Sequence, residues 1–119
     1  MNNKHILIAD KEIEIGEKLQ AENSNPCISV TYAAENTICE CIKHNQYDLV
    51  VLDNENLSDM LLNVIYTIKK ISPKTRIFVT TAKGNIASYI SLINLGVNEY
   101  VYKPIDPHLF NQMILETIT

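Results

Sequence analysis

The fold is decided by residues 47–53, which read Tyr47-Asp48-Leu49-Val50-Val51-Leu52-Asp53. The four central residues are all apolar, and the run is too short for a helix of ordinary length. A strand that is apolar on successive residues must be covered on both faces, which is typical of parallel sheets flanked by helices. The stretch therefore predicts an inner strand of such a sheet, ending at an acidic residue.

The same pattern recurs along the chain, beginning with Ile6-Leu7-Ile8-Ala9. Longer segments of helical period separate the short apolar runs, and this alternation is typical of βαβ units. The strands that we predict are His5 to Ala9, Cys27 to Tyr32, Leu49 to Leu52, Arg76 to Thr80 and Glu99 to Tyr102. Connection rules for parallel strands then favour an α/β fold with a five-stranded, doubly wound sheet of flavodoxin-like order 2-1-3-4-5.

The predicted helices carry start and stop signals. Asn85 is a candidate N-cap, Pro73 closes the third helix, and Gly96 ends the fourth helix after Leu95. Asp106-Pro107 opens the last helix, for which we predict the range Leu109 to Ile118.

Length and charge limit the function further. We interpret residues 1–119 as a single domain. The net charge of -4 provides no positive field for nucleic acid, so we expect no direct contact with it. We expect no membrane contact either, because no stretch is long and apolar enough to span a bilayer. The first apolar run is too short for a secretory signal, which favours a cytoplasmic location.

Polar residues follow four of the predicted strands, and the carboxyl ends of parallel strands meet at one edge of a sheet. These residues are Asp10-Lys11-Glu12, Asp53, Thr81-Ala82 and Lys103-Pro104. Phosphoryl transfer to a carboxylate requires a nucleophile, a cation to neutralise the phosphoryl oxygens, and donors for those oxygens. The set predicts such a site.

With these motifs in place, the chain resembles the receiver domains of bacterial two-component response regulators. The resemblance runs from Ile6–Asp10 through Tyr47–Asp53 to Tyr100–Pro104. It implies that Asp53 accepts a phosphoryl group, and that Mg²⁺ is bound by Asp10, Asp53 and the backbone carbonyl of Glu55. It also implies that Thr81 and Lys103 contact the phosphoryl group and that Tyr100 changes its packing when the domain switches. A core aromatic is an equally good interpretation of Tyr100.

The resemblance also implies the partners. The phosphoryl donor would be a phosphohistidine of a sensor histidine kinase or a phosphotransfer protein, and the domain would signal rather than act as an enzyme. A homodimer or an output domain would meet the face formed by the fourth helix, the fifth strand and the fifth helix.

Two features depart from the family pattern. Most members have two adjacent acids after the first strand, but Lys11 stands at the second position, where a cation repels Mg²⁺ and attracts Asp53. Glu12 is a candidate substitute ligand. Residues 54–60 resemble the family's loop after the acceptor with one residue inserted and with Ser58 in place of a proline.

Three hypotheses follow from these residues. The first is a phosphorylatable receiver. The second is a receiver-like interaction module that works without phosphorylation because Lys11 replaces an acidic metal ligand. The third is a phosphatase of the haloacid dehalogenase type, because Asp10-Lys11-Glu12 loosely resembles the Asp-x-Asp that follows the first strand in that family. The chain lacks the length for that family's cap.

Overall fold

The computed structural model describes residues 4–9, 28–82 and 94–118. Within these ranges the chain forms a parallel sheet of order β2-β1-β3-β4-β5, as predicted. The strands are β1 Lys4–Ala9, β2 Ile28–Tyr32, β3 Leu49–Asp53, β4 Arg76–Thr81 and β5 Glu99–Tyr102. The predicted limits were one residue short at two carboxyl ends, because β3 includes Asp53 and β4 includes Thr81.

The core lies on both faces of the sheet, since successive side chains of each inner strand point to opposite sides. All five residues of β3 are buried, which explains its unbroken apolar run. On one face, Leu7, Val50 and Leu52 pack with residues of two helices, Ile38–His44 and Leu61–Ile71. On the other face, Ile6, Ile8, Leu49, Val51 and Phe78 pack with the helix Pro107–Ile118.

The predicted punctuation of the helices within the described residues is confirmed, although the last helix, Pro107–Ile118, begins two residues before the predicted Leu109. The helix Leu61–Ile71 stops before Pro73. Gly96 has a φ of 98°, a left-handed conformation that glycine adopts without strain. The Asp106 carboxylate accepts a hydrogen bond of 2.9 Å from the His108 N–H at the start of Pro107–Ile118. Asn85 and Cys27 lie outside the described residues.

Residues 54–60 were expected to form a loop, and that expectation is wrong for the backbone. Asn54–Leu57 is a short α-helix and Ser58–Met60 is a 3-10 turn that leads into Leu61–Ile71. The physical reason is burial, because Leu57, the last residue of the short helix, and Leu61, the first residue of the next helix, both pack into the core. The segment after Asp53 is thus fixed to the protein interior.

No helix in the described ranges has both the length and the apolar character needed to cross a membrane.

Candidate functional site

Asp53 lies at the carboxyl end of the middle strand, between β1 and β4. The register pairs Asp53 with Thr80 of β4, and the preceding residue, Leu52, with Ala9 of β1. The residue is only 3% exposed. A buried carboxylate needs a partner because desolvation disfavours its charge.

Lys103 supplies that partner. Its Nζ atom lies 3.1 Å from Asp53 Oδ2, and its side chain is mostly buried. The backbone N–H of Lys103 donates a hydrogen bond of 2.8 Å to the carbonyl of Thr81, which ties the end of β5 to the end of β4. The sheet therefore brings the Lys103 ammonium to the Asp53 carboxylate, and the predicted meeting of these strand ends is found.

Thr81 is the last residue of β4 and is 1% exposed. Its hydroxyl has one proton to donate. The shortest contact, 2.5 Å, is to Glu55 Oε2, whereas the carbonyl of Ala82 is 3.2 Å away. Hydrogen bonds to a charged acceptor are shorter and stronger. We therefore assign the Thr81 hydroxyl as the donor of a hydrogen bond to the Glu55 carboxylate.

The Glu55 side chain is the feature that sequence reasoning missed. Only its backbone carbonyl was expected at the site, but its carboxylate reaches across to the end of β4. Glu55 Oε1 accepts a hydrogen bond of 2.6 Å from the Ala82 N–H. The same oxygen lies 4.0 Å from Lys103 Nζ. An acid two residues after Asp53, with a hydroxyl at the end of β4 and an ammonium after β5, is the sequence signal that would have identified this contact.

Asn54 forms hydrogen bonds with both Glu55 and Thr81. Its side-chain amide donates to Glu55 Oε2 at 3.2 Å and to Thr81 Oγ1 at 3.1 Å. The backbone N–H of Glu55 donates to Asp53 Oδ1 at 3.2 Å. The short helix after β3 therefore contributes both an anion and the donors that hold it.

Tyr100 is 8% exposed and belongs to the core cluster that covers one face of the sheet. Its ring meets that of Tyr102 edge-on, with centroids 5.6 Å apart and planes at 85°. This packing agrees with the interpretation of Tyr100 as a core aromatic, and its role as a switch stays a prediction.

The three residues after β1, Asp10, Lys11 and Glu12, lie outside the described residues. Across residues 4–9, 28–82 and 94–118, no group of three or more His, Cys, Asp or Glu side chains could hold a metal ion. Among the described residues, the structure thus brings together Asp53, Glu55, Thr81 and Lys103.

Residues 6–115 match the family model for the response regulator receiver domain. The chain therefore belongs to this family, the signal-receiving domains of two-component systems.

A curated relative, "Uncharacterized transcriptional regulatory protein YkoG" from Bacillus subtilis (strain 168), is 30% identical over 107 residues. The alignment covers 89% of this chain and 47% of that protein. The chain spans about half the length of the curated relative that it matches.

Solved structures share the fold. A CheY-like receiver domain protein from Methanospirillum hungatei JF-1 superposes with a TM-score of 0.84 at 20% identity, covering 98% of this chain and 94% of that one. A response regulator from Thermotoga maritima gives 0.84 at 19% identity, with 98% of each chain covered. A response regulator from Burkholderia pseudomallei, solved with a phosphorylated aspartic acid and a calcium ion, gives 0.78 at 19% identity, covering 98% of this chain and 67% of that one.

Proposed function

We propose that this receiver domain accepts a phosphoryl group on Asp53 from a phosphohistidine of a sensor kinase or phosphotransfer protein. The observation that carries the proposal is the buried Asp53 carboxylate with the Lys103 ammonium 3.1 Å away. Thr81 stands at the adjacent strand end with a hydroxyl to donate. The phosphorylated aspartic acid in the Burkholderia pseudomallei regulator, which has the same fold, supports the same chemistry here.

In the proposed reaction, one carboxylate oxygen of Asp53 attacks the phosphorus atom in line with the leaving group. A P–O bond forms, the P–N bond to the imidazole breaks, and its electron pair stays on the imidazole nitrogen. The product is an aspartyl phosphate. Lys103 then neutralises part of the phosphoryl charge, and the Thr81 hydroxyl donates to a phosphoryl oxygen.

The chemistry also needs charge neutralisation beyond that of Lys103, and we propose Mg²⁺ for it. Asp53 and the carbonyl of Glu55 offer hard oxygen donors of the kind Mg²⁺ prefers, and Asp10 is the further carboxylate that we assign to it. When bound, the ion would neutralise phosphoryl oxygens. The Asp53 carboxylate is positioned by the backbone around it. Strand β3 fixes the main chain of Asp53, and the hydrogen bond from the Glu55 N–H to Asp53 Oδ1 orients its side chain.

Phosphorylation would act through the end of the sheet. We propose that the Thr81 and Lys103 side chains move to contact the new phosphoryl group. Tyr100 lies on β5, which ends one residue before Lys103, and we propose that its ring repacks at the same time. The surface that we propose for an output partner or a second copy includes β5 and the last helix, Pro107–Ile118. Most of the predicted fourth helix, which completes this face in the proposal, lies outside the described residues. We further propose that the domain works in the cytoplasm and is not itself an enzyme.

The test is the mass of the intact protein after incubation with Mg²⁺ and acetyl phosphate. One hydroxylamine-labile phosphoryl group should appear on the natural chain and be lost in Asp53→Asn. An unchanged mass at saturating donor contradicts the proposal.

One sequence feature favours a second candidate, a receiver-like module that binds its partner without phosphorylation. Lys11 places a cation where the family has a second metal-binding acid. If this candidate is correct, Lys11→Asp should confer Mg²⁺ binding and acceptance of the phosphoryl group, while the natural chain binds its partner equally with and without donor. Partner affinity that rises when the natural chain is phosphorylated would refute it.

A further inference from the structure

Three donors converge on the Glu55 carboxylate. The Thr81 hydroxyl and the Asn54 amide donate to Oε2, and the Ala82 N–H donates to Oε1. The Lys103 ammonium is 4.0 Å from Oε1. The Glu55 side chain is 45% exposed, so solvent could hydrate it, yet it lies against the sheet.

Its position is set by the local fold. The N–H of Glu55 is bound to Asp53 Oδ1, and Leu57, two residues later, is 2% exposed in the core. The backbone of Asn54–Leu57 is therefore held at both ends, which directs the Glu55 side chain toward Thr81 and Ala82.

These donors are of the kind that a phosphoryl group on Asp53 requires. A hydroxyl, a backbone N–H and an ammonium next to the acceptor form an oxyanion site, and each is aimed at negative oxygen. Glu55 fills that site with the two oxygens of a carboxylate. A phosphoryl group arriving at Asp53 meets donors that are already bound and a like charge beside them.

We propose that the Glu55 carboxylate is an internal ligand of the phosphoryl position, which it occupies while Asp53 is unmodified and must leave when Asp53 is phosphorylated. This inference rests on the function proposed above. Glu55 is then a positioning residue that holds Thr81 and Ala82 in advance and slows acceptance of the phosphoryl group. The acceptance step with acetyl phosphate forms the P–O bond to Asp53, and acetate leaves with the electron pair of the broken P–O bond.

The first test is independent of phosphorylation. Amide resonances of Thr81 and Ala82 are compared in the natural chain, Glu55→Ala and Glu55→Gln, with Asp59→Asn as a control that removes an exposed acid from the same segment. Loss of a short bond to a carboxylate should move the Ala82 amide proton upfield in Glu55→Ala and less far in Glu55→Gln. An Ala82 resonance that moves no more than it does in Asp59→Asn overturns the proposal.

The second test is the time course of the intact mass with acetyl phosphate and Mg²⁺. Phosphorylation should be about tenfold faster in Glu55→Ala, the factor that corresponds to the net loss of one hydrogen bond to a charged group. Asp59→Asn should match the natural chain. Equal rates in Glu55→Ala and the natural chain would contradict the proposal that the Glu55 carboxylate slows phosphorylation.

The two tests separate this inference from the proposed function. If every variant and the natural chain stay unmodified, acceptance on Asp53 is refuted, and the Ala82 resonance alone then decides whether Glu55 fills the oxyanion site. Circular dichroism identifies any variant that fails to fold. Glu55→Gln, which keeps the size of the side chain, carries both tests if Glu55→Ala is unfolded.

Discussion

The Lys103 ammonium lies 3.1 Å from the Asp53 carboxylate, with 17% and 4% of the two side chains exposed. The pair joins the end of β5 to the end of β3 across the intervening strand β4. At this burial the two charges depend on each other, because either one alone is poorly solvated. The contact therefore serves stability as well as the proposed chemistry.

Lys103→Met should destabilise the domain by about 1–3 kcal/mol at neutral pH, since it leaves the Asp53 carboxylate buried without its cation. The matched control is Lys74→Met, at an exposed lysine, which should stay within about 0.5 kcal/mol. Urea unfolding measures both.

A double-mutant cycle with Asp53→Asn isolates the pair. The decrease in the free energy of unfolding caused by Lys103→Met should be smaller by about 1 kcal/mol or more in the Asp53→Asn background, where residue 53 is neutral. Additive losses would show that the two side chains do not stabilise each other.

Thr81→Val should lower the free energy of unfolding by about 1 kcal/mol, because this isosteric change removes a hydroxyl that donates a hydrogen bond to the Glu55 carboxylate. The neighbouring residue offers a control, since the Thr80 hydroxyl makes a longer bond of 3.4 Å to the Leu52 carbonyl. Thr80→Val should therefore cost less in thermal or urea unfolding. Equal losses at the two positions would contradict the assigned hydrogen bond.

Ile65→Ala should cost about 2–5 kcal/mol, because Ile65 is fully buried where Leu61–Ile71 packs on the sheet. Its neighbour Tyr66 is 66% exposed, and Tyr66→Ala should change the stability by about 0.5 kcal/mol or less. The pair tests which face of this helix meets the core, and a reversed order in urea unfolding would be inconsistent with the described packing.

Gly96→Ala should cost about 1–2 kcal/mol, because an L-residue is strained at a φ of 98°. The added Cβ would also lie 3.0 Å from Cε of Lys69. Repeating the change in a Lys69→Ala background removes that contact. If the loss disappears there, crowding rather than backbone conformation is the cause.

The strands were predictable because their patterns reflect burial directly. Leu49–Asp53 is apolar on both faces, and that pattern has few other structural solutions. The meeting of Asp53, Thr81 and Lys103 followed from the sheet, since parallel strands end at one edge.

The segment after Asp53 was harder to predict. Seven residues with three acidic or amide side chains at their start resemble a loop, and the helical turns depend on burial of Leu57 and Leu61 against distant strands. The direction of the Glu55 carboxylate depends in turn on that backbone. The helical turns and the direction of the Glu55 carboxylate cannot be predicted from residue spacing, because both are set by tertiary packing.

The proposed function places the phosphoryl group on Asp53, and peptide mapping locates that group directly. After incubation with acetyl phosphate and Mg²⁺, borohydride converts an aspartyl phosphate to homoserine, and mass spectrometry of the peptides identifies the position. If Asp53 accepts the phosphoryl group, homoserine should appear at position 53 of the natural chain and nowhere in Asp53→Asn. Homoserine at a different acid, or none anywhere at saturating donor, would contradict the proposed function.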